Sequence, residues 1–147
     1  VNDKMSFGEP IVGVNYIPRE SAYAVIFRNP DEIEVATVSR QKGHHMLPRG
    51  GIEPGEDHVT CLKREVLEEA GYGIRIGAYI VGQADQYYVT LEGESRLTVG
   101  HFYLAEILGK ADDAIEELEF SWLSAGKANE SLFLNNQAWA VSAALRG

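Results

Sequence analysis

Cysteine is almost missing from this chain of 147 residues: Cys61 stands alone. That excludes an internal disulfide and any zinc cluster built on several thiolates, and it leads us to expect a reducing, cytoplasmic setting. Long apolar runs are missing too. No stretch approaches the ~18 apolar residues of a membrane helix, and residues 1–10 lack a basic start leading into an apolar run, so neither membrane spanning nor export is expected. Positive charge is scarce, with 13 Lys and Arg against 22 Asp and Glu, a net charge of -9 and a pI near 4.9. No basic cluster offsets that field, so no long nucleic acid is an expected partner. A small phosphate ester is still compatible if a divalent metal stands between its oxygens and the protein's carboxylates. Repeats, low-complexity tracts and linkers are also lacking, and residues 1–147 read as one domain, a monomer or a homodimer.

What is present reads as alternating strands and helices. Residues 21–28 and 33–39 are β-branched or aromatic runs separated by Asn29-Pro30-Asp31, which predicts a hairpin. Residues 43–56 are rich in Gly and Pro and predict a shaped loop. Asp57 is placed to cap, and Gly71 to end, a helix of about thirteen residues. Residues 74–83 and 97–107 read as strands, and Asn135 or Asn136 as the cap of a last helix with Leu134, Ala138, Val141 and Leu145 on its apolar side. The expected class is α/β or α+β, a mixed sheet with helices on both faces.

On a helical wheel, Glu65, Glu68 and Glu69 share one arc of about 100°, while Val59, Leu62, Val66 and Ala70 take the neighbouring one. Like charges so placed cost a helix roughly 0.2–0.5 kcal/mol per pair unless a cation sits among them. An isolated acidic face is commonplace, but the residues upstream are not. From Gly50 the chain runs five residues to Glu56, then seven to Arg64-Glu65-Val66-Leu67-Glu68-Glu69-Ala70-Gly71-Tyr72. This closely resembles the Nudix box, G-x5-E-x7-R-E-U-x-E-E-x-G-U, with Tyr72 the one departure. A chance match over all starting points is on the order of one in ten million at average residue frequencies. Leu47-Pro48 before the box and Trp122-Leu123 after it are also in the family's manner.

The resemblance implies a Nudix-type α/β/α sandwich with a mixed sheet and a loop-helix-loop site. It implies a hydrolase that cleaves a phosphoanhydride bond in a nucleoside diphosphate linked to another group, by in-line attack of water activated by Mg2+, with Mn2+ able to substitute. Glu65 and Glu69 would be the first metal ligands, then Glu68, joined by the Gly50 carbonyl. For Glu56, ligation and helix capping both stay open. Arg64 would orient a glutamate. The general base migrates within the family; spacing to Trp122 favours Glu116, with Glu119 and Glu117 behind it on an acidic loop. Arg49 replaces the first glycine of the family's L-P-G-G opening, and with Arg40 it is the expected contact to substrate phosphates; His44 and His45 stand beside them. The small-molecule substrate itself is left unnamed, among ADP-ribose, oxidised nucleoside triphosphates, dinucleoside polyphosphates and nucleotide sugars. The rival reading is a non-catalytic Nudix domain that senses a nucleotide or binds a partner. Such domains lose box acids, and none is lost here.

Overall fold

The computed structural model describes residues 4–40, 43–90, 92–111 and 118–146. Among the described residues, seven strands form one mixed sheet: β1 (Lys4–Phe7), β2 (Ile17–Arg28), β3 (Glu34–Ser39), β4 (Arg49–Gly51), β5 (Tyr72–Val89), β6 (Ser95–Lys110) and β7 (Glu119–Ser124). Helix α1 (His58–Ala70), a short α2 (Ala128–Ser131) and α3 (Asn135–Arg146) complete it. The order across the sheet is β1-β5-β6-β2-β3-β7, with β4 attached to β2. Pairing is parallel for β1–β5 and β2–β6 and antiparallel elsewhere.

The strand run at 21–26 is apolar without alternation because both faces of β2 are covered. Ala22, Ala24 and Ile26 join Leu62, Val66 and Ala70 of α1 in one core. Tyr23 and Val25 point the other way, into a second core closed by Ala138, Ala140 and Val141 of α3. The two helices therefore lie on opposite faces, as the sequence predicts.

Several local expectations need correcting. Strands β5 and β6 run on to 89 and 95, because their ladder continues to a tight turn in which Gly93 adopts φ +87°. The predicted hairpin of β2 and β3 is paired only at Phe27↔Val35 and Arg28↔Glu34. Beyond those pairs the strands part, and the loop ahead of α1 fills the gap. Val38 and Met46 exchange backbone hydrogen bonds of 2.8 and 2.9 Å, and the Ala24 N–H donates to the Pro48 carbonyl at 2.9 Å. The loop even forms β4 within the stretch read as irregular. Neither asparagine acts as the predicted cap of α3: Asn135 is already helical, and Asn136 is buried, its side chain donating to the Ala84 carbonyl and its N–H to Gln86 Oε1. Leu145, expected inside, is 41% exposed.

Tyr23 gives this core a measurable pH limit. Its side chain is buried and stacked on Phe102 at 4.6 Å, and burial pushes the phenol up to about 12. The folded state thus holds the proton that an unfolded chain releases near pH 10, so the Tyr23 contribution to stability is constant below pH 10 and falls as pH rises from there to 12. The loss is of order 2 kcal/mol. Urea titrations at pH 9 and pH 11 should show it, and Tyr23→Phe should remove that component; an unaltered pH 11 deficit in the variant would refute the assignment.

Candidate functional site

Helix α1 starts and stops where the sequence says. Asp57 Oδ1 accepts the Thr60 N–H at 2.8 Å, and Gly71, at φ 78°, returns its N–H to the Leu67 carbonyl at 3.0 Å. Cys61, Leu62, Val66 and Ala70 are buried, while Val59, expected among them, is 39% exposed. Burying the Leu62 and Val66 side chains contributes roughly 1.5–3 kcal/mol each and fixes the helix's rotation. That rotation turns the acidic arc towards β4 and the loop.

Gly50 is where loop and helix meet. A Cβ built there would lie 2.0 Å from Glu65 Cγ, so only glycine lets the Glu65 side chain pass this close to the backbone. Arg64 organises the carboxylates around it. Its guanidinium reaches Glu56 Oε1 and Oε2 at 3.1 and 3.0 Å, Glu65 Oε1 at 2.7 Å and Glu68 Oε2 at 3.9 Å. The Glu53 N–H, and after it Arg64, hold the Glu56 carboxyl below its ordinary range. Glu56 therefore does not cap the helix; Asp57 does, and Glu56 closes the preceding turn and receives Arg64.

At the other end of the arc, Glu69 Oε1 accepts the Arg49 N–H at 3.2 Å. Burial pushes its carboxyl up to about 7, against the Arg49 N–H and the charges of Arg49 and Arg40; Glu65 adds to the rise. Burial here outweighs the two neighbouring arginines. Arg64 engages Glu65 and the Arg49 N–H engages Glu69, and no three acidic, imidazole or thiolate donors converge on one point among the described residues. The donor set nevertheless fits a hard divalent cation: carboxylate oxygens on one helix arc and a glycine cradle against Glu65.

Beside Glu69 opens a cavity of about 280 Å³. Val38, Met46, Leu47 and Leu118 give it an apolar lining, and Arg40, Arg49 and Arg96 a basic one. The structure thus brings Arg40 and Arg49 together with Glu69. Tyr88, Arg96 and Phe133 also line it, and the sequence alone did not mark them. Tyr88 and Arg96 are register partners across the β5–β6 ladder, and nothing local in the sequence reports such a pairing. Tyr23 and Phe102 are core residues. Cys61 is fully buried, donates to the Gly51 carbonyl at 3.4 Å, and has its thiol pushed up to about 12 by burial, so it packs and does not attack. Glu116 and Glu117 lie outside the described residues. Glu119 opens strand β7, so that end of the expected acidic loop is in the sheet.

Comparison with known proteins follows the same line. The family model described as NUDIX domain matches residues 18–144. The chain is 52% identical over 42 residues to the mitochondrial Nudix hydrolase 17 of Arabidopsis thaliana, covering 28% of this chain and 23% of that protein. It is 37% identical over 76 residues to the NAD-capped RNA hydrolase NudC of Stutzerimonas stutzeri (strain A1501), covering 50% and 28%. The matched stretches thus span about a quarter of these relatives' length. Among solved structures, a NUDIX hydrolase from Nitrosomonas europaea aligns with a TM-score of 0.66 at 17% identity, over 88% of this chain and 90% of that one, a likeness of fold. With the box seated on a loop-helix junction inside a mixed sheet, and the family model running through nearly the whole of it, the chain belongs to the NUDIX domain family.

Proposed function

We propose that this chain is a Mg2+-dependent hydrolase of a phosphoanhydride bond in a nucleoside diphosphate linked to another group, working in the cytoplasm. The observation that carries the reading is the continuity of two features: the acidic arc of Glu65, Glu68 and Glu69, and a cavity lined by Glu69 itself and by Arg49, whose N–H Glu69 accepts. One relative's name, a hydrolase of NAD-capped RNA, supports a nucleotide-linked substrate.

In this reading Glu65, Glu69 and Glu68, with the Gly50 carbonyl and Glu56, hold the cation. When bound, it supplies charge neutralisation at the diphosphate oxygens and makes water more acidic. Arg64 positions Glu56 and Glu65 through the contacts described and does not touch substrate. Arg49 and Arg40 face the phosphates from the cavity wall. Glu116 is our candidate for taking the proton from the attacking water.

The test is hydrolysis by the purified protein of a panel comprising ADP-ribose, oxidised nucleoside triphosphates, dinucleoside polyphosphates and nucleotide sugars. Products identified by mass should come from phosphoanhydride cleavage of at least one substrate, require Mg2+ or Mn2+, and disappear with chelator. Hydrolysis that survives chelation would overturn the metal-dependent reading.

A further inference from the structure

Among the described residues that line the cavity, one buried side-chain polar atom has no hydrogen-bond partner. His44 lines the cavity, and its Nε2 is closed to solvent without a hydrogen bond. An unmade hydrogen bond at a buried group costs about 1–3 kcal/mol, so a ligand that supplies the missing partner recovers it. The Phe133 ring lies against His44, their centroids 3.7 Å apart and their planes at 48°, and Phe133 is 39% exposed. An aromatic side chain that is open to solvent on one side has room to rotate and offers a face for stacking.

The pair is held by backbone. The Phe133 N–H donates to the His45 carbonyl at 2.9 Å, His45 bridges to Leu132, and His45 Nδ1 meets Thr37 Oγ1 at 3.2 Å. Next door, the Leu47 N–H donates to Gln137 Oε1 at 2.7 Å. Both chain segments are therefore tied at positions adjacent to the two rings, so ring rotation requires no backbone opening. The lining is mixed: Arg40 and Arg49 are the groups assigned above to the phosphates, while Val38, Met46, Leu118 and Phe133 offer apolar surface that suits an uncharged ring.

We propose that this cavity receives the substrate's nucleobase and that His44 is its specificity-determining residue, Nε2 hydrogen-bonding the base edge while Phe133 turns aside to stack on the base. The inference rests on the nucleotide reading above and names the group that chooses among nucleotides. Hydrogen bonding discriminates between bases, and stacking does not, so the two residues have separable effects.

Calorimetry with AMP, GMP, CMP, UMP and ribose 5-phosphate in Mg2+ tests this. At least one nucleotide should bind the wild-type protein about tenfold tighter than ribose 5-phosphate, the worth of one stacked or hydrogen-bonded base. His44→Ala should bring the four nucleotides to within about threefold of one another, and Phe133→Ala should weaken all four about tenfold, with ribose 5-phosphate unchanged in both. Should His44→Ala fail to fold, His44→Gln, which presents a differently placed amide, should reorder the four. Equal binding of ribose 5-phosphate and nucleotides, no nucleotide binding, or an unchanged ranking in the folded His44 variant would overturn the proposal. Hydrolysis of the panel without base ranking would sink this inference alone; base ranking without hydrolysis would sink the hydrolase reading alone.

Discussion

Glu69→Gln should reduce turnover on the order of 100-fold or more while the protein stays folded, the scale expected when preorganised charge is removed from a reaction centre. The substitution is nearly isosteric, and its amide oxygen can still accept the Arg49 N–H that Glu69 accepts now at 3.2 Å. What it removes is negative charge, at the one box carboxylate that burial pushes up to about 7. The loss should therefore fall on kcat and on Mg2+ affinity and not on the denaturation midpoint. Steady-state rates across a Mg2+ titration, paired with thermal melts, separate the two. Near wild-type turnover would remove Glu69 from the reaction centre.

Gly50→Ala should be as damaging, and for a steric reason. The added Cβ would meet Glu65 Cγ at 2.0 Å and Glu65 Cβ at 2.7 Å, so Glu65 has to leave the position in which Arg64 holds it. We expect activity to fall on the order of 100-fold, and stability by roughly 1–3 kcal/mol from overpacking. A second substitution tells the two apart. In Gly50→Ala/Glu65→Gly both clashing atoms are gone, so the stability cost of Gly50→Ala should largely vanish in the Glu65→Gly background while activity stays lost. A Gly50→Ala cost as large in that background as in the wild type would mean that the clash is not with Glu65.

The site was legible in the sequence to the degree that it is local. Asp57, Gly71 and the apolar arc of Leu62, Val66 and Ala70 lie within one helix, so cap, stop and rotation follow from spacing alone. The split of β2 into two buried faces also follows from its unbroken apolar run. Val59 escaped that logic: it belongs to the helix's first turn, where the packing surface does not yet reach it. Asn136 escaped because its partners, Ala84 and Gln86, come from a strand some fifty residues earlier. The same holds for the cavity wall: Arg40, His44 and Arg49 are close to the box in sequence, but Tyr88 and Arg96 arrive through the β5–β6 ladder and Phe133 through a bond to His45. Motif spacing finds the chemistry of a box; the groups around it are set by tertiary pairing.

The wedge of loop between β2 and β3 ties catalysis to cooperativity. Because Met46 and Pro48 complete the hydrogen bonding of Val38 and Ala24, the loop that carries Gly50 is a rung of the sheet's lattice. The amide protons of Ala24, Val38 and Met46 then exchange with solvent only when the sheet opens as a whole. The protein has no cheap way to loosen its reaction centre while keeping its fold, so heat or denaturant should extinguish activity and global structure along a single transition curve.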